Sequence, residues 1–276
     1  MNATPIIIGT ILVFILAYRY YYGFVMARLA IFKDDMITPA TRMYDGSNYY
    51  PMSKWVLFGH HFAAIAGAGP LVGPVLAVQF GFAPGLLWIL AGAVMAGAMH
   101  DLVILLASVK HDGKSLVEIA CAEINKTSGI TASIAVLIIL VVALAGLGMV
   151  VVNALAESSW GTFTIASTIP IALLMGVWMF KLTPGKTTAA TIAGVLMLIG
   201  AVIGGRFIPG SALESWFTYD RKTLTLILAG YGFLASALPV WLLLSPRDYL
   251  SSFMKLGVIG LLAIGIVIVS PELNMP

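Results

Sequence analysis

Charge is scarce in this sequence. Only 10% of its 276 residues are Asp, Glu, Lys or Arg, against about 25% in soluble domains. Twelve acids and fifteen bases cannot coat a water-facing surface of this size, which would carry charge at roughly a quarter to a third of its positions. A soluble enzyme and a disordered chain are thereby excluded. The bases are also dispersed, so the net charge of +3 forms no stripe for a polyanion, and nucleic acid is not an expected partner. Cysteine is nearly absent: Cys121 stands alone, which rules out an intrachain disulfide and a Cys-based zinc site. HExxH, Gly-x-Ser-x-Gly and a phosphate-binding loop are missing too. The adjacent His60 and His61 would point about 100° apart on a helix, unlike a metal-binding i, i+4 pair. No catalytic residue, metal or cofactor is therefore expected. What is abundant is apolar: the set AVILMFWYC makes up 60%. The chain reads as an all-α protein of the lipid bilayer.

Stretches without Asp, Glu, Lys or Arg mark what lipid accepts, and a helical span needs about 20 apolar residues. The uncharged stretch 55–100 is long enough for two, divided at Gly81-Phe82-Ala83-Pro84-Gly85, a turn signal. About eight spans result, near 5–22, 55–80, 84–109, 130–156, 161–180, 187–205, 223–246 and 256–270. The first reads as a retained helix rather than a cleaved leader: no basic segment precedes it, no small-x-small site follows, and it ends in Tyr20-Tyr21-Tyr22, which suit an interface. Alternate loops hold twelve and three of the fifteen bases. Since short cytoplasmic loops collect Lys and Arg, both termini are expected outside. Between the spans, Thr38-Pro39-Ala40 and Asp45-Gly46 signal turns. Ser115 with Glu118 fits a capping box before a short interfacial helix.

Span 2 contains Gly67-Ala68-Gly69-Pro70-Leu71-Val72-Gly73-Pro74. Each Pro removes a donor and clashes with the preceding turn, and each Gly costs about 1 kcal/mol relative to Ala. A break at membrane depth is expected there, with Gly67, Gly69, Pro70 and Gly73 presenting backbone to a substrate. Span 7 offers a partner in Gly230-Tyr231-Gly232-Phe233-Leu234-Ala235-Ser236-Ala237-Leu238-Pro239, where Gly230, Gly232 and Ser236 are the candidates. The two spans run in opposite directions five helices apart, as a five-plus-five inverted repeat requires. Ionisable groups at depth are costly and mark function. His60 and His61 lie roughly 10 Å before the break. His100 and Asp101 fall at a similar depth on span 3, so a His–Asp contact able to hold a proton is expected. Asn153 and Glu157 close span 4 at the outer interface. Arg247-Asp248 read as a local ion pair ending span 7.

The string from Val56 to Pro74, which includes Gly59-His60-His61 and the Gly/Pro break, resembles the signature of the carbon starvation protein A (CstA) family. The likeness extends to Thr38-Pro39-Ala40, Asp45-Gly46, His111-Asp112-Gly113-Lys114-Ser115-Leu116 and Pro239–Leu250, covering the chain from about Ile15 to Pro276. The resemblance implies an inner-membrane secondary transporter of the amino acid–polyamine–cation type. Its substrate would be peptides, or else pyruvate, taken up with protons during carbon starvation. It also implies an extra first span at 5–22, a first repeat at 55–205 and an incomplete second repeat at 223–276. Family members continue into further spans, so missing carboxyl-terminal helices are expected to be needed for function. Under this reading Asp101, with His100, His60 or His61, carries the proton. A non-transporting sensor or assembly subunit is the alternative of another class.

Overall fold

A computed structural model of the chain describes residues 2–29, 37–183 and 187–273. The loop bases Lys33 and Lys186 and the final residues 274–276 lie outside the described residues. Helix α1 (Ala3–Leu16) passes through a π-turn (Ala17–Tyr22) into α2 (Gly23–Leu29), and a single turn, α3 (Pro39–Arg42), follows. Two half-length helices come next, α4 (Lys54–Ile65) and α5 (Ala68–Val78). Then α6 (Phe82–Ala91), a second π-turn (Gly92–Gly97) and α7 (Ala98–Lys110) form one continuous helix. After the short α8 (Leu116–Glu123) come α9 (Lys126–Leu155) and α10 (Ser159–Val177), the latter ending in a π-turn (Trp178–Leu182). The rest are α11 (Thr187–Gly205), α12 (Glu214–Phe217), α13 (Arg221–Ala237) and α14 (Leu244–Val269). Among the described residues there is no strand beyond one isolated bridge.

Six of these helical segments are long and apolar enough to cross a membrane: Ala3–Arg28, Phe82–Lys110, Lys126–Leu155, Ser159–Leu182, Thr187–Gly205 and Leu244–Val269. The chain is a multi-pass, all-α membrane protein. The two expected spans outside that set are the ones read as broken. Span 2 is divided into α4 and α5, of 12 and 11 residues. Span 7 is α13, which stops after 17 residues at Ala237. Its expected end at 246 needs correction, as does the start of span 8 at 256: α14 begins at Leu244 and runs 26 residues.

The chain divides into two compact units. One holds Met1–Arg42, Pro70–Leu137 and Gly257–Pro276. Within it, the Ala3 amide donates to Pro271 O at 3.0 Å and the Thr4 and Ser270 hydroxyls lie 2.8 Å apart, so the start of α1 is clasped to the end of α14. The Tyr22 hydroxyl donates to Val94 O at 2.8 Å, filling a carbonyl in the second π-turn. The α5–α6 turn is closed by Gly81, whose φ of 115° suits glycine alone. Gly85 meanwhile lets α6 approach Ala77, whose carbonyl would lie 3.3 Å from an added Cβ.

The expected capping box is present: Glu118 accepts from the Ser115 amide at 2.9 Å and Ser115 accepts from the Glu118 amide, opening α8. Before it, Asp112 and Gly113 turn through φ of 62° and 76°, and Arg42 pairs with Asp112. His111 bonds Glu123 Oε1 through Nε2 at 2.7 Å and Ala107 O through Nδ1 at 2.8 Å. Both partners accept, so both ring nitrogens must carry protons. The Glu123 hydrogen bond first, and the Ala107 carbonyl second, hold the pKa above the ordinary 6.5. A raised folded-state pKa adds stability that is full below about pH 6.5 and is lost as pH rises through the raised value. Amide exchange across residues 111–124, corrected for intrinsic rate, should therefore accelerate above neutral pH, and Glu123→Gln should flatten that dependence.

The second unit holds Met43–Gly69 and Ile138–Leu256. Its core gathers Met175, Met179, Ala190, Leu198, Val56, Tyr249 and Leu250, all buried. Gly194 gives room to Met175, and the Trp160 indole donates to Val202 O at 2.9 Å, closing α10 on α11. Asp45 Oδ1 accepts from the amides of Ser47, Asn48 and Tyr49, each at 2.8 Å, which holds its carboxyl below the usual range. The adjacent Gly46 carbonyl takes the Trp241 indole N–H at 3.1 Å, tying this turn to the segment between α13 and α14. Glu157 adopts φ of 62° as the chain leaves α9, and its amide reaches Tyr219 O at 3.2 Å.

Candidate functional site: a charged seam along the broken helix

The Gly/Pro-rich stretch does break the helix, at its leading edge. Ala66 turns to φ −80°, ψ 53°. The Gly67 amide then bonds Ile65 O at 2.9 Å instead of continuing the helical ladder. Helix resumes at Ala68, so Gly69, Pro70 and Gly73 lie within α5, with Pro74 also inside it. The second interruption falls later than the sequence suggests. Gly230, Gly232 and Ser236 belong to α13, where the Ser236 hydroxyl donates to Phe233 O at 2.8 Å. The chain leaves the helix only at Leu238, just before Pro239, which lacks an N–H.

Helices α4 and α14 run parallel and meet along a polar seam. Gly59 makes the approach possible: an added Cβ would lie 2.7 Å from Tyr249 Cδ2 and 3.1 Å from Tyr249 Cα. The Tyr249 hydroxyl is 3.1 Å from that of Thr191, which joins α11 to the seam. The Ser252 hydroxyl lies 2.7 Å from Gly59 O and 2.8 Å from Asp248 O, and donates to either. His60 Nδ1 sits 2.8 Å from Asp248 Oδ2, at ion-pair distance but off the line an N–H would take. Above them Lys255 Nζ donates to Ala63 O at 3.3 Å. Asp248, Ser252 and Lys255 follow i, i+4, i+7 spacing, so one face of α14 carries the whole seam.

Arg247 faces elsewhere. It donates to the Tyr231 hydroxyl at 2.7 Å and to Thr168 Oγ1 at 3.4 Å, joining α14 to α13 and α10. It does not form the expected local pair with Asp248. The carboxylate at ion-pair distance from His60 is Asp248 of α14. His61 follows His60 on α4, half-buried. His100 and Asp101 lie in the first turns of α7, directly after the π-turn, His100 exposed and Asp101 half-buried. π-turns of this kind often accompany functional positions.

The profile described as "Carbon starvation protein CstA" matches residues 2–276. The chain belongs to the CstA family. Among curated members, "Peptide transporter CstA" of Bacillus subtilis is 49% identical over all of this chain and 46% of its own length. "Peptide transporter CstA" of Escherichia coli is 47% identical, again over all of this chain and 40% of its own. "Pyruvate/proton symporter BtsT" of Escherichia coli is 45% identical over all of this chain and 39% of its own. This CstA chain thus spans less than half the length of these relatives. No solved structure matches it. In the CstA sequence Arg247 and Asp248 read only as a local end pair, and Lys255, Tyr231 and Thr168 carry no assigned role. A signal for them existed: three charged residues within nine positions, flanked on both sides by apolar sequence.

Proposed function

We propose that this chain is the amino-terminal portion of a secondary active transporter that takes up small nutrients, peptides first, with protons as the driving ion. The observation that supports it most is the interruption at Ala66–Gly67, where α4 ends within the membrane beside charged groups of another helix. Broken helices at this depth bind substrate and ions through freed backbone groups. The relatives' printed names supply the substrate classes. Gly67, with Gly69, Pro70 and Gly73 following it, is the proposed substrate-binding stretch, and Gly230, Gly232 and Ser236 its counterpart on α13. Asp101, His100, His60 and His61 are the proposed proton-handling groups. The architecture proposed is one extra span at 5–22, a first repeat at 55–205 and the start of a second at 223–276, in the inner membrane with the amino terminus outside. Further carboxyl-terminal spans complete the transporter.

The pyruvate reading has its own support in the symporter relative. Uptake of labelled di- and tripeptides against pyruvate decides between them, measured on the full-length protein in proteoliposomes with and without an inward proton gradient. Gradient-dependent peptide accumulation is expected. Accumulation of neither substrate would remove the transport reading and leave the sensor or assembly role.

A further inference from the structure

Lys255 sits where a charge is hardest to keep. It is eleven residues into α14, about 16 Å along the axis, or roughly halfway through a hydrocarbon layer of about 30 Å. Ala63 lies nine residues into α4, about 14 Å along it. The break explains why a carbonyl is on offer at that point. In an unbroken helix Ala63 O would accept from the Gly67 amide, but that amide is turned to Ile65 O. Lys255 Nζ takes up the freed oxygen at 3.3 Å.

One long hydrogen bond does not satisfy an ammonium with three donors. The charge balance around it is also incomplete. In the second unit, α4, α10, α11, α13 and the portion of α9 from Ile138 contain no Asp or Glu. Asp248 is the sole acid on this unit's portion of α14. It lies two turns below Lys255 and is engaged by His60, with His61 and the first residue, Lys54, the other titratable groups on α4. Arg247, a second cation, rests on the neutral hydroxyls of Tyr231 and Thr168. On these helices of the second unit, two cations and a histidine thus share one carboxylate, where unmatched charge is costly.

We propose that Lys255 anchors a carboxylate of the transported substrate, which supplies the missing negative charge at the break. Ala63 O holds the ammonium in place, and its two remaining N–H groups face the incoming carboxylate. This rests on the transport reading above and deepens it, since peptides and pyruvate share this group.

The test is uptake by the full-length protein in proteoliposomes, comparing trialanine with trialanine amide, and pyruvate with pyruvamide. In the wild type, losing the carboxylate should raise KM by roughly 10- to 100-fold, the loss of one charge-assisted hydrogen bond. Lys255→Met should bring the acid's KM to that of its amide, while Lys255→Arg keeps the gap. The pair that shows a Lys255-dependent gap identifies the source of the carboxylate. A gap that persists in Lys255→Met, or is absent from the wild type, overturns the assignment. Should the Met variant fail to reach the membrane, Lys255→Gln is read the same way. A merely structural lysine would alter stability and leave the acid-to-amide ratio unchanged. Wild-type uptake without a gap sinks the Lys255 role alone, whereas no wild-type uptake of either acid removes the transport reading with it.

Discussion

Gly59→Val should be among the most damaging single substitutions in this chain, lowering stability by about 2–4 kcal/mol. A Cβ at that position meets the ring of Tyr249 at 2.7 Å and its Cα at 3.1 Å. The ring edge could swing only by leaving its contact with Thr191, and the Cα cannot move without displacing α14. Separation of the helices would also pull Gly59 O away from Ser252, a buried hydrogen bond of 2.7 Å. Overpacking costs about 1–3 kcal/mol and a lost buried hydrogen bond about 1 more. Gly67→Ala is the control. Nothing lies within 4 Å of a Cβ there, so its effect should stay within about 1 kcal/mol. Thermal unfolding of both variants in detergent measures the difference. Equal midpoints would mean that α4 and α14 are not packed through Gly59.

Asp248→Ala should cost about 2 kcal/mol and lower the unfolding midpoint by roughly 4–8 °C. Its carboxylate balances His60 at 2.8 Å, within a stretch of α14 that also carries Arg247 and Lys255. Removing it leaves cations without a counter-charge, the arrangement that penalises a broken ion pair most. The side chains are 32% and 31% exposed, so the effect falls below that of a fully buried pair. Combining the change with His60→Ala should recover part of the loss, because the histidine is then no longer stranded. A double variant as unstable as the sum of the singles would show that the two groups do not interact.

How much of this could be read in advance depends on what each feature rests upon. The break at Ala66–Gly67, the Gly81 turn and the Ser115–Glu118 capping box are local, and backbone chemistry over a few residues determines them. The seam is not local. Gly59 and Ser252 are 193 positions apart, and Ala63 and Lys255 are 192. A rule that ends a span wherever charge begins treats Arg247, Asp248 and Lys255 as loop, since lipid would not accept them. The rule fails here because side chains and carbonyls of other helices meet them: a histidine, a freed carbonyl and two hydroxyls.

The clasp between the first and last described helices bears on how the chain is made. Thr4 and Ser270 are separated by 266 positions. At a synthesis rate of about 5–20 residues per second, α1 leaves the ribosome some tens of seconds before its partner exists. During that interval the Thr4 amide has its local cap, the Asn2 side chain, but the Thr4 hydroxyl lacks Ser270. The start of α1 is therefore secured only once the chain has been translated through Ser270.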